Sequence, residues 1–134
     1  MIRHGEPPYL ECSTRGDRRF SAFVARIISR DFRTIEELYQ SFKVFPKHLS
    51  GIDKNTGHML NWRHAKGLKA LNQTEAVIFY DTLWKEYIRE NPSLLQVLLL
   101  ASGLSDVYGQ EGSCCQATSL WNIRNKYLTN KTIW

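Results

Sequence analysis

What the chain has little of narrows the choices first. Its 134 residues hold three cysteines, Cys12, Cys114 and Cys115. An odd count with two of them adjacent matches no disulfide framework, and neighbouring cysteines bridge each other only with strain. Free thiols, and with them a reducing, cytoplasmic setting, are the expectation. The four histidines, His4, His48, His58 and His64, have no ligand spacing to one another or to the cysteines, so no zinc site is expected. The longest apolar run, residues 94–101, is broken by Gln96 and falls far short of a bilayer span. The opening Met-Ile-Arg-His-Gly-Glu-Pro-Pro has no hydrophobic signal region. No membrane partner is expected. Also missing are a Walker loop, Gly-x-Gly-x-x-Gly and Gly-x-Ser-x-Gly, which removes three large classes of nucleotide and acyl chemistry. The pair Gly109 and Gly112 is too little for a phosphate loop. No repeat, no low-complexity tract and no sign of a cofactor is present.

What is there reads as one globular domain over residues 1–134. The apolar fraction of 43% and charged fraction of 23% are ordinary for such a domain, and this length can bury a core without metal or disulfides. The net charge of +5 is loaded early, in Arg15, Arg18, Arg19, Arg26, Arg30 and Arg33 against Asp17 and Asp31. Such a cluster either receives phosphate, on a nucleotide or on nucleic acid, or is a solvated basic face.

Periodicity places the elements. Residues 1–8 read as an extended lead-in, 9–12 as a short strand, and 13–19 as a polar turn segment around Gly16-Asp17. Residues 20–29 read as strand or irregular. A helix follows and ends near Val44, before Pro46. Residues 47–60 read as loop, and 62–70 as a short helix. Asn72 and Glu75 open a long amphipathic helix carrying Val77, Tyr80, Trp84, Tyr87 and Ile88. Asn91-Pro92 opens another, with Leu94, Leu95, Leu98 and Leu99, which Ser102-Gly103 ends. Residues 104–113 read as loop, and 116–128 as the last helix, with Leu120, Trp121 and Ile123 inward. The fold class is α+β, helix-rich, with at most one small sheet.

The helix at residues 33–45 is the richest stretch. Ile35, Leu38, Tyr39 and Phe42 share one face at i, i+3, i+4 and i+7. Thr34 is a suitable N-cap with Glu37 at the capping-box position. Glu36, Gln40 and Lys43 make a polar stripe beside the apolar one. A carboxylate at that boundary is half buried, where it can meet a ligand; the plain alternative is an exposed Glu36 in a weak polar row.

Three blocks together resemble the NADAR family. Phe20-Ser21-Ala22-Phe23 and Thr34-Ile35-Glu36-Glu37-Leu38-Tyr39-Gln40-Ser41-Phe42-Lys43 resemble its Phe-Ser-Asn-Phe and Thr-Val-Glu-His-x-Tyr-Gln-Ala-x-Lys signature. Ala65-Lys66-Gly67 resembles its next basic block, and Ala117, Leu120, Trp121, Ile123 and Arg124 its closing motif. The chain departs from the pattern at Ala22 for Asn, Glu37 for His, Cys114 for Asn, and Gln116-Ala117 for Leu-Gly. The resemblance implies a NADAR-like domain and an N-glycosidase that cleaves the bond between ribose and a nitrogen base. Its substrate would be a riboflavin-pathway intermediate or an ADP-ribosylated base of nucleic acid. It implies a phosphorylated ribosyl or nucleotide-type ligand. The lost polar groups leave open a relative that binds without cleaving.

The implied chemistry fits the residues that remain. Breaking an N-glycosidic bond develops positive charge on the sugar, which a carboxylate can stabilise or exploit by activating water; Glu36 is the candidate. A lysine can instead attack the anomeric carbon. Lys43 lies two turns on along the same stripe, or is a surface lysine, and Lys66 is the second candidate. Arg18, Arg19 and Arg124 would bind phosphate, although Arg124 could simply cap carbonyls. Arg15, Arg18 and Arg19 are expected beside the same cleft as Glu36. Phe20, Tyr39 and Gln40 complete the ligand-binding set. Tyr39, Trp62 and Trp121 are open between stacking on a base and packing the core.

Overall fold

The computed structural model describes residues 1–41 and 73–131. Its order is β1 (Ile2–Gly5), β2 (Tyr9–Glu11), β3 (Arg26–Ile27), β4 (Arg33–Thr34), α1 (Ile35–Ser41), α2 (Gln73–Glu90), α3 (Pro92–Leu100), β5 (Gly103–Asp106) and α4 (Gln116–Asn130). The α+β, helix-rich class is what the chain has. The small sheet is three-stranded, ordered β1-β5-β2, and β3 and β4 form a separate two-stranded ladder.

The middle strand, β5, is the largest departure from expectation, because residues 104–113 read as loop. Gly-Leu-Ser-Asp has poor strand propensity. Its pairing makes it a strand: antiparallel to β1, with Ile2 opposite Asp106, and parallel to β2, with Glu11 opposite Ser105. All four of its residues are buried. Gly103 is not a helix stop but a close approach of backbones. A Cβ there would lie 2.5 Å from the Glu6 carbonyl oxygen and 2.7 Å from Tyr9 Cδ1. Glu11 secures the sheet end, accepting from the Ser105 hydroxyl at 2.8 Å and the Val107 N–H at 3.1 Å.

The helices bury the faces their periodicity marks. Along α2, Tyr80, Leu83, Trp84, Tyr87 and Ile88 are buried at i, i+3, i+4, i+7 and i+8. Val77, on the same face a turn nearer the helix start, is 37% exposed. Trp84 meets Tyr80 and Tyr87 edge to face, with ring centroids 6.4 and 5.6 Å away. Helix α4 packs on β1 and β5 on one side and on α2 and α3 on another, so Leu120 and Ile123 sit in the middle of the core. At the start of α3, Asn91 donates back to the Tyr87 carbonyl at 2.8 Å rather than capping forward. Among the described residues, no helix is long and apolar enough to cross a membrane.

Helix α1 is docked by its first turn. The Thr34 hydroxyl accepts the Glu37 N–H at 3.1 Å. The Ile35 and Glu36 N–H groups donate to the carbonyls of Ala25 and Ala22, each at 3.0 Å. Three of the four orphan donors of the helix start are thus satisfied, two of them by the loop after Phe20. The Phe20–Ala25 stretch is therefore not a strand. It is a turn that receives a helix. Residues 62–70 and the helix end expected near Val44 lie outside the described residues.

Candidate functional site

Two groups of polar residues flank the backbone of Ala22. On one side lies Glu36. It is half buried on α1, and its Oε1 accepts the Gln40 side-chain N–H at 2.7 Å. A carboxylate only accepts, so Gln40 must face it with its amide nitrogen. The Gln40 Oε1 then points elsewhere, buried and without a partner among the described residues. Tyr39 and Tyr80 stand near the carboxylate, their rings edge to face at 5.2 Å. Burial pushes both phenols well above the ordinary tyrosine value, and the Glu36 charge adds to it. Both stay neutral hydroxyls at any physiological pH. Cys114 contacts Tyr39 and completes this corner.

On the other side is Gln116, the first residue of α4, and its carboxamide is fully engaged. Its Nε2 donates to the Cys12 carbonyl at 2.8 Å and to Asp106 Oδ2 at 3.1 Å. Its Oε1 accepts the Ala22 N–H. One buried amide thus joins three segments that are distant in sequence. Over it lies a cavity of about 520 Å³ lined by Ser13, Thr14, Ser21, Phe23, Tyr108 and Gln116. Burial raises the pKa of Cys12, with help from the nearby Glu11 and Asp106 carboxylates. Burial likewise raises that of Cys115, whose thiol lies 3.6 Å from Asp106 Oδ2. All three cysteines are free, as the spacing predicts.

Of the residues the sequence singles out, the structure brings together Glu36, Tyr39 and Gln40. Phe20 is completely buried and cannot touch a ligand; its ring carries the Arg19 guanidinium at 5.8 Å. Arg19 is held by Asp17 through two bonds, at 2.9 and 2.6 Å. That hydrogen bonding lowers the Asp17 pKa against a smaller opposing effect of burial. Arg30 is bound likewise to Glu86, at 2.6 and 2.8 Å, and Arg26 donates to the Phe32 carbonyl at 2.9 Å. The early basic cluster is therefore largely spent on structure. Arg15 lies over the ring of Tyr108, a cavity wall, 5.7 Å from its centroid. Arg18 is exposed. Arg124 is elsewhere: it donates to the Leu98 carbonyl at 3.1 Å and covers the Trp121 ring at 4.5 Å. It caps the end of α3, and Trp121 stacks on His4. Lys43, Lys66 and Trp62 lie outside the described residues.

Sequence reasoning missed Gln116 and the Phe23 and Tyr108 walls. The available signal was a spacing: Ser13, Ser21 and Asp106 each stand two residues before an outward side chain, where a short polar side chain closes a turn on the backbone. Among the described residues, no group of three or more His, Cys, Asp or Glu side chains is placed to hold a metal ion. Set against protein-family models, curated proteins and solved structures, the chain matches none.

Proposed function

We propose that this chain is an N-glycosidase-like protein acting on a ribosylated or ADP-ribosylated base, with Glu36 as its catalytic carboxylate. The observation that carries the reading is the Glu36–Gln40 pair. Gln40 fixes one carboxylate oxygen at 2.7 Å, and its own Oε1 is a buried acceptor with no partner among the described residues. A buried acceptor left open costs about 1–3 kcal/mol unless something donates to it. That oxygen has no exposed surface, so a sugar hydroxyl or the attacking water becomes such a donor once the Gln40 side chain turns outward. Oriented acceptors beside a carboxylate suit a reaction in which positive charge grows on a sugar ring and water must lose a proton. Tyr39 and Tyr80 add neutral hydroxyls. Their raised pKa values make them poor acids, so the reading favours a base that leaves without needing a proton from them. The partial match of Glu36, Tyr39 and Gln40 to the NADAR pattern supports the same assignment.

Incubating the protein with ADP-ribosylated guanosine, NAD and ribosylated bases, and separating free base chromatographically, tests it. Free base released in proportion to protein is the expected result. The second reading, a binding module, is favoured by the loss of polar side chains at Ala22 and Cys114. It predicts that the same ligands raise the melting temperature by mass action and are recovered uncleaved.

A further inference from the structure

The cavity above Gln116 has two unusual walls. Phe23 is 62% exposed and Tyr108 is 56% exposed, and both line it. Large aromatic side chains gain most when covered, so two of them bared around one cavity call for an occupant. A cation stands next to one of these walls, since the Arg15 guanidinium lies 5.7 Å from the centroid of the Tyr108 ring. The backbone of each of these three residues is held by a polar side chain two positions earlier. The Ser13 hydroxyl accepts the Arg15 N–H at 3.1 Å, the Ser21 hydroxyl the Phe23 N–H at 3.3 Å, and Asp106 Oδ1 the Tyr108 N–H at 2.9 Å. The three turns are tied to one another through Gln116, by way of Cys12, Ala22 and Asp106. The backbone that carries two rings and a guanidinium is thus fixed beside about 520 Å³ before any ligand arrives. Pre-organisation of this kind lowers the ordering cost of binding.

We infer that this cavity binds a planar heteroaromatic ring bearing a phosphate group, with the ring against Phe23 and Tyr108 and the phosphate at Arg15. Stacking on aromatic side chains accepts any base, because every base has a π-face, and the guanidinium supplies a charge-assisted contact. The inference rests on the glycosidase reading for the identity of the ring, whereas binding itself needs no cleavage.

Calorimetric titration of the full chain with AMP, adenosine and ribose 5-phosphate tests it. AMP should bind most tightly. Phe23→Ala and Tyr108→Ala should each weaken AMP about five- to a hundredfold, the usual loss for one stacking ring. Arg15→Gln should bring AMP down to the adenosine level. All three side chains are exposed, so an unchanged melting temperature confirms that each variant folds. Equal AMP affinity across wild type and the three variants, or no binding at millimolar AMP, overturns the inference. The two readings fail separately. Absence of base release by wild type contradicts the glycosidase assignment, and release by Glu36→Gln contradicts the role of Glu36; either result leaves this site standing. Ring variants with wild-type AMP affinity remove this site whatever Glu36 does.

Discussion

The Glu36 corner and the Gln116 floor lie on opposite sides of one residue, Ala22, and are built by different means. The corner is a matter of packing. Tyr39 and Tyr80 press their rings together, and its polar groups sit at the edge of that apolar contact with one acceptor left open. The floor is a matter of hydrogen bonding. A single carboxamide with every group engaged joins the Cys12, Ala22 and Asp106 segments. A region that leaves an acceptor open is suited to exchange partners during a reaction. A region that leaves none open is suited to hold walls still. The difference separates where chemistry would occur from where a ligand would be held.

The contrast can be broken by mutation, beginning with the largest expected effect. Tyr80→Ala removes a fully packed ring from the corner and should cost about 3–5 kcal/mol, as large-to-small changes in a core do. Chemical denaturation measures it, and a cost under about 1 kcal/mol would mean that packing does not hold the corner. Gln116→Leu keeps most of the volume but strands the Ala22 N–H and the Cys12 carbonyl and takes one donor from Asp106. It should cost about 3 kcal/mol, lowering the melting temperature on the order of 10 °C. A near-neutral result would show that the three segments hold without the amide.

Smaller effects sharpen the same contrast. Thr34→Ala removes the α1 cap and should cost about 1 kcal/mol. Glu37→Ala should cost only a few tenths, since the exposed Glu37 carboxylate returns no bond among the described residues. The pH dependence draws on both regions, because the thiols of Cys12 and Cys115 at the floor are also raised above their ordinary 9.0. Tyr39 and Tyr80 have folded pKa values raised above the ordinary 10.0. The fold therefore binds protons that the unfolded chain releases above that value, and stability should fall as pH rises past about 10. Tyr39→Phe should make that alkaline loss shallower. At the floor, the raised thiol pKa values of Cys12 and Cys115 leave little thiolate. Both should resist alkylation of the native protein at pH 8, as mass spectrometry of labelled peptides would show.

The sequence made the helices legible because their apolar spacing is an intrinsic property of each segment. Tyr80, Trp84 and Tyr87 announce α2, and Thr34 announces the start of α1. The sheet was hidden because β5 has no strand character of its own; Gly103 and Asp106 read as punctuation until β1 and β2 flank them. In the site, Glu36 and Gln40 were visible as a stripe on one helix, since i and i+4 meet by helix geometry alone. Gln116 was not visible. Its partners Cys12, Ala22 and Asp106 come from three other segments, and no local pattern encodes a contact across that separation. The basic cluster misled for a related reason. Counting arginines cannot show that Arg19 and Arg30 are already bound by Asp17 and Glu86.

The central claim is that the Glu36 carboxylate performs the chemistry and does not merely support the helix. Glu36→Gln keeps the shape of the side chain and removes its charge. The decisive measurement is the rate of free-base release from an ADP-ribosylated nucleoside by wild type and by Glu36→Gln, with melting temperatures taken on the same samples. The account predicts release by wild type, a fall of at least about a hundredfold in the variant, as for loss of a general base, and melting temperatures within a few degrees. Release by Glu36→Gln at the wild-type rate, with the fold intact, would contradict it.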